Sequence, residues 1–161
     1  NYYPVVSDLL KRMHQYYNLK TEVENLRMNG RIQEAKQMAG QALQQISEAP
    51  EMLITYASLA DPIEEQDTLN DFIKQKPYMW ELKIQLGLSY LKDQDLENAE
   101  KTLLEAMEIC GGNGMVYNNL AQICYHRRDY LGAIKWLREN LRMEPYNMGA
   151  FEMMVNTLML I

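Results

Sequence analysis

Residues 80–147 read WELKIQLGLSYLKDQDLENAEKTLLEAMEICGGN and then GMVYNNLAQICYHRRDYLGAIKWLRENLRMEPYN, two blocks of 34 residues that align without a gap. Leu86 falls on Leu120, Gly87 on Ala121, Asp95 on Asp129, Ala99 on Ala133 and Leu103 on Leu137. Each block reads as two helices. Leu86, Gly87 and Tyr90 share one face of the first, and Leu96, Ala99, Leu103 and Ala106 one face of the second, at helical spacing. The segments KDQD (92–95) and HRRD (126–129) are the tight polar turns inside the blocks. Gly111-Gly112-Asn113 closes one block and Glu144-Pro145-Tyr146-Asn147 the next, because glycine accepts positive φ at a helix end and proline stops a helix. The small residues Gly87, Ala99, Ala121 and Ala133 mark places where helices must approach closely.

Moving outward, one more period places Phe151 on Tyr117, Met154 on Leu120 and Leu158 on Cys124, so residues 148–161 read as the first helix of a further repeat. Phe151, Met154 and Leu158 are then expected to pack on the preceding unit, leaving Met153 uncovered. Upstream, Leu26, Gly30-Arg31-Ile32, Ala35, Ala39 and Ala42 fit a repeat over 16–49. Residues 50–79 read as a degenerate, shortened pair split at Asp61-Pro62, with Tyr56, Leu59, Leu69, Phe72 and Ile73 as its core. Val5, Val6, Leu9, Leu10, Met13, Tyr16 and Tyr17 follow helical spacing after Pro4, a good first-turn residue. That helix either runs through Leu26 or breaks near Asn18, where Thr21 and Glu24 have capping-box spacing; the break is favoured.

The pattern resembles the tetratricopeptide repeat family. The matching residues are Leu86-Gly87, Tyr90, Ala99 and Ala106 in one block, and Tyr117, Leu120-Ala121, Asp129-Tyr130, Ala133 and Pro145 in the other. A period of 34 residues is that family's own. The resemblance implies an all-α fold, a right-handed α-solenoid of stacked antiparallel helix pairs, here about nine or ten helices over 1–161. Such pairs bury a core only against their neighbours and present a concave and a convex face.

Composition limits the function. The chain has 161 residues, 47% of them apolar and 24% charged, as in ordinary soluble domains. A net charge of -6 argues against nucleic-acid binding, which needs a basic face. The apolar stretch 148–161 is too short to cross a bilayer, which takes about 20 residues. Residues 1–4 carry no basic leader region, so a cytoplasmic location is expected. The sequence starts without Met and stops inside an apolar run, as a piece of a longer protein would.

No residue set suggests catalysis, a cofactor or a metal. Cys110, Cys124, His14 and His126 lack the close pairing that zinc requires. Gly111-Gly112-Asn113-Gly114 has neither the preceding strand nor the following Lys-Ser/Thr of a phosphate loop. Asp61, Glu64, Glu65, Asp67 and Asp71 fall on one short helix and its entry, a solvated acidic face. Lys135, Arg138 and Arg142 stand at i, i+3 and i+7 on one face, which reads either as solvated surface or as a docking patch for an acidic partner; the resemblance implies that this face is convex.

Asn118, Gln122 and Tyr125 form a stripe about 110° from the core face of their helix at 100° per residue. The resemblance implies that this stripe lines the concave groove and holds a protein or peptide partner. One period earlier it is Ile84, Leu88 and Leu91, and one period later Glu152, Asn156 and Met159. Asn119 falls where many family members place an asparagine that bonds ligand backbone. The clamp that reads the C-terminal carboxylate of heat-shock chaperone tails needs Lys and Asn where this sequence has Ile84 and Leu88. The expected function is a non-catalytic protein-interaction module. The alternative is a structural or oligomerisation segment of a larger assembly that associates through 148–161.

Overall fold

A computed structural model describes residues 3–161, so Asn1 and Tyr2 of the leader reading lie outside the described residues. Among the described residues the chain forms nine α-helices and no strand: α1 (Tyr3–Met28), α2 (Ile32–Gln45), α3 (Pro50–Ser58), α4 (Pro62–Gln75), α5 (Trp80–Lys92), α6 (Leu96–Cys110), α7 (Gly114–His126), α8 (Tyr130–Met143) and α9 (Met148–Leu158). No helix among them is long and apolar enough to cross a membrane. The chain divides into two compact units, Asn1–Phe72 and Ile73–Ile161.

The helices start and stop where local chemistry dictates. Carboxylate or amide side chains of Asp95, Asn113, Asp129 and Asn147 accept from the backbone N–H three residues on, capping α6, α7, α8 and α9. Asp61 does the same for the start of α4, accepting from the N–H groups of Ile63 and Glu64. Gly30 turns left-handed at φ 73, and the Arg31 N–H reaches back to the Leu26 carbonyl to close α1.

In the first unit, Tyr16, Val23 and Leu26 of α1 pack with Ala35, Ala39 and Ala42 of α2 and Met52 and Leu59 around α3. The favoured break near Asn18 does not occur: α1 is continuous for 26 residues. The Thr21 hydroxyl donates to the Tyr17 carbonyl within the helix, and Glu24 pairs with Arg27 instead of reaching back to a cap. Tyr16, Leu19, Val23 and Leu26 make one uninterrupted stripe against the core, and that packing outweighs the local capping signal.

α4 keeps the buried pattern of α2, α6 and α8 by a simple device. The fourth residue of each second helix is buried: Ala35, Glu65, Ala99 and Ala133. Four residues on stand Ala39, Leu69, Leu103 and Leu137, all without exposure. The step from Ala35 to Glu65 is shorter than 34 by four residues, about one helical turn, and α3 has nine residues where α5 and α7 have 13. Removing one turn leaves the buried face pointing the same way.

In the second unit, α5 pairs with α6 and α7 with α8; α6 also packs on α7 and α8 on α9. Ile84, Ala99, Leu103, Ala106, Val116, Leu120 and Ile123 form one core. Ala121, Leu137 and Ala150 form the centre of the next, with Trp136, Met153 and Met154 against it. This corrects the expectation for α9. Ala150, Met153, Met154 and Thr157 face inward, while Phe151 and Leu158 are exposed. Tyr117, one period before Phe151, stacks on Trp136 from the second helix of its own repeat. Phe151 has no second helix over it among the described residues.

Candidate functional site: a groove along three helices

Side chains of α5, α7 and α9 line two adjoining hollows in the second unit. The first, about 360 Å³, is bounded by Gln85, Leu88, Leu91, Lys92 and Gln122. The second, about 430 Å³, is bounded by Gln122, Tyr125, His126, Gly149, Glu152, Met153 and Asn156. Gln122 is exposed and lines both. The first helix of each repeat supplies these groups because its opposite face is consumed by the core. Leu120, Ala121 and Cys124 are buried, which leaves Gln122 and Tyr125 to point elsewhere.

The expected groove residues fall into three groups. Leu88, Leu91, Gln122, Tyr125 and Asn156 line the hollows. Ile84 does not: it is 3% exposed and sits in the core with Ala99 and Leu103, so it is removed from the groove set. The period places Ile84 on the groove stripe, yet it is buried where Asn118, its equivalent, is only half-buried. Asn118 and Asn119 form the third group: both are half-buried and neither lines the hollows. The Asn119 Nδ2 donates to the Met115 carbonyl of its own helix at 2.8 Å. The Asn118 Oδ1 is buried and has no partner among the described residues.

Sequence reasoning missed Gln85, Lys92, His126, Gly149 and Met153 as lining residues. Lys92 and His126 stand one period apart, each the last residue of its helix, so the repeat itself carried that signal. The rings of Tyr125 and Tyr130 meet edge to face at 5.8 Å, which fixes Tyr125 at the rim of the second hollow. Fixed charge near the hollows comes from Lys92 at one end and Glu152 at the other. Of the basic patch, Lys135 and Arg138 are exposed, and Arg142 pairs with Glu139 at 3.3 Å.

No protein-family profile matches the chain. A stretch of 60 residues is 28% identical to anaphase-promoting complex subunit 6 of Arabidopsis thaliana, covering 37% of this chain and 11% of that protein. Among solved structures, a tetratricopeptide repeat protein from Parabacteroides merdae superposes with a TM-score of 0.69 at 19% identity, over 88% of this chain and 57% of that one. PilF of Pseudomonas aeruginosa gives a TM-score of 0.73 at 15% identity, over 92% and 69%. The APC/C hetero-tetramer Cut9-Hcn1 gives 0.69 at 16% identity, over 89% of this chain and 30% of that one. Together with the 34-residue period and the helix pairs, these superpositions show that the chain has the tetratricopeptide-repeat fold.

Proposed function

We propose that the second unit is a non-catalytic protein-interaction module that holds an extended partner segment along α5, α7 and α9. The observation that carries this reading is the position of Gln122, shared by both hollows. A peptide crossing from one to the other passes its backbone over a side-chain amide that can both donate and accept. Leu88 and Leu91 suit an apolar side chain at one end. Tyr125, Asn156 and Gln122 suit polar contacts at the other. Lys92 and Glu152 favour a ligand with an acidic residue toward α5 and a basic one toward α9. A cytoplasmic location goes with this reading, to which two free thiols, Cys110 and Cys124, are suited.

The test is selection of binders from a displayed random-peptide library on the intact chain. Selected peptides should lose at least tenfold in affinity on Gln122→Ala or Leu88→Asp and be unchanged on Lys135→Ala with Arg138→Ala. Peptides that bind all variants alike would place the site elsewhere.

A second reading rests on α9 and its C-cap, where Phe151, Val155, Leu158 and Met159 are 40–80% exposed. This surface suits a contact inside a larger assembly, as the likeness to anaphase-promoting complex proteins also suggests. Sedimentation of Phe151→Asp with Leu158→Asp measures it: an unchanged association state would remove this reading.

A further inference from the structure

Lys92 and His126, one period apart, meet at a third hollow that adjoins the groove. It holds about 200 Å³ and is bounded by Leu91, Lys92, Gln94, Leu96 and His126. Leu91 and Lys92 also border the first hollow, and His126 also borders the second. The polar groups of the third are an ammonium, an amide and an imidazole, and no acidic side chain among the described residues lines it. None of these three side chains has a hydrogen bond or ion pair among the described residues. The acidic groups of the surrounding chain are engaged. Asp95 accepts from the backbone and side-chain N–H groups of Asn98, Glu100 from Arg127 and Asp129 from the Gly132 N–H, and Asp93 has a partner of its own. A sphere of this volume is about 7 Å across, so a carboxylate at its centre stands within the roughly 4–6 Å over which opposite charge favours the ionised form.

We infer that this hollow takes a carboxylate of the segment bound in the groove, and that His126 links the binding to protons, tightening it as pH falls from 8 to 5.5. This rests on the groove reading and adds a position and a regulator to it. A histidine changes charge between about pH 5 and 8, while a peptide carboxylate stays ionised down to about pH 4. At pH 8 Lys92 is the one cation lining the hollow; at pH 5.5 His126 makes a second. The charged groups facing His126 come from each neighbouring element. Lys92 stands on α5 and Glu152 on α9, across the third and second hollows. The Tyr125 ring meets the imidazole edge to face at 6.5 Å. Arg127 and Arg128 follow in the turn to α8, with Arg127 tied to Glu100 of α6. A bound carboxylate adds one negative charge to this set, so the complex holds the His126 proton more tightly than the free chain does. The gain in affinity is present below the free histidine's midpoint and is lost as pH rises through the bound one. A shift of one unit corresponds to about tenfold in affinity.

The probes are peptides selected at pH 5.5 from a displayed random library on the intact chain, each with Asp→Asn or Glu→Gln counterparts and a version amidated at its C-terminus. Calorimetric titration should give about tenfold tighter binding at pH 5.5 than at pH 8. The difference should vanish with the amide counterpart if a side chain fills the hollow, and with the amidated version if the chain end does. His126→Gln should show the weaker affinity at both pH values and His126→Lys the tighter one at both, with unchanged helix content because His126 is exposed. The chain has two histidines, so in a His14→Gln background the imidazole proton resonances belong to His126 alone. Their titration midpoint should rise by about one unit when the acidic peptide is bound and stay in place with its amide counterpart. A selection that returns no acidic peptide overturns the inference. Peptides that need Gln122 but bind equally at both pH values, or that keep their pH dependence on His126→Gln, overturn it and leave the groove standing. Peptides indifferent to Gln122→Ala overturn the groove and this inference with it.

Discussion

Gly87 and Leu103 meet so closely that no side chain fits between them: a Cβ built on Gly87 would lie 2.8 Å from the Leu103 Cγ and 3.5 Å from the Ala99 carbonyl oxygen. Leu103 has no exposure and cannot swing aside. Gly87→Ala is therefore expected to destabilise the chain by about 1–3 kcal/mol, the cost of overpacking, although alanine is the better helix former. Urea unfolding measures it. A midpoint equal to or above wild type would mean that α5 and α6 are farther apart than described. Ala99→Leu and Ala133→Leu, at sites without exposure, are expected to cost at least as much.

The turns inside the repeats hold a reserve of stability. Gly30, Gln94 and Arg128 stand at the same place, two residues before a second helix, and all three are left-handed, with φ of 73, 60 and 61. Only the first is the residue that takes this conformation freely. The Cβ of Gln94 and of Arg128 costs roughly 1–2 kcal/mol there, offset in part by glycine's greater freedom in the unfolded chain. Gln94→Gly and Arg128→Gly are each expected to stabilise by up to about 1 kcal/mol. Thermal melts that fall on both substitutions would show that these side chains make contacts outweighing the strain.

How far the sequence could be read follows from the same positions. Over 80–147 the period is unbroken, so Ala99 on Ala133 and Leu103 on Leu137 marked the helix pairs and their faces directly. In the first half a missing turn in α3 shifted the period, and buried Glu65 replaced the expected small residue, so the register surfaced only once the four second helices could be compared. Local signals failed where packing overruled them, as at Thr21. The groove was half legible. Period carries the stripe from Gln122 to Leu88, which line the same hollow, and from Asn118 to Ile84, which is buried, since burial depends on neighbouring helices that a period does not encode. Asn140 was not legible at all. It replaces Ala106 one period on, is fully buried, and donates through Nδ2 to the Gly114 carbonyl at 2.6 Å, tying α8 to the start of α7.

Tyr16 and Glu51 are expected to make the stability of the first unit depend on pH at both ends. The Tyr16 hydroxyl, on a residue 3% exposed, donates to the Glu51 Oε1 at 2.8 Å, and Lys20 stands 3.5 Å from the same oxygen. Burial pushes the Glu51 carboxyl up, but the bond from Tyr16, its backbone bond and Lys20 together hold it below the usual value. Burial, and then the bond and charge of Glu51, push the Tyr16 phenol well above its usual 10. A lowered carboxyl contributes stability that is present above its unfolded value and lost as pH falls through the folded one. A raised phenol contributes stability that is present below its unfolded value of 10 and lost as pH rises beyond it. Tyr16→Phe should remove the alkaline loss and flatten the acid one relative to wild type in chemical unfolding from pH 3 to 11. Parallel curves for the two proteins would show that the pair is not formed.

The two thiols should differ sharply in reactivity. Cys124 is 8% exposed on the core face of α7, and Cys110 is half-buried at the last position of α6. Burial pushes the Cys124 thiol up, and the nearby charges of Asp129 and Glu100 push it further, against a smaller opposing effect of Arg127. The thiolate is the nucleophile, so at pH 8 Cys124 is both shielded and mostly in its unreactive form. Its labelling by a disulfide reagent must wait for α7 to lift from α8, an opening that costs a share of the unit's stability. In Cys110→Ser protein, Cys124 is expected to react more than about tenfold slower than Cys110 does in Cys124→Ser protein. The difference should vanish in denaturing urea. Because the raised thiol stabilises the folded chain only while protonated, that stabilisation is lost as pH rises past the unfolded thiol's own value. Native rates that match within a factor of two would mean that the core face of α7 opens freely, and with it the register that sets Gln122 and Tyr125 in the groove.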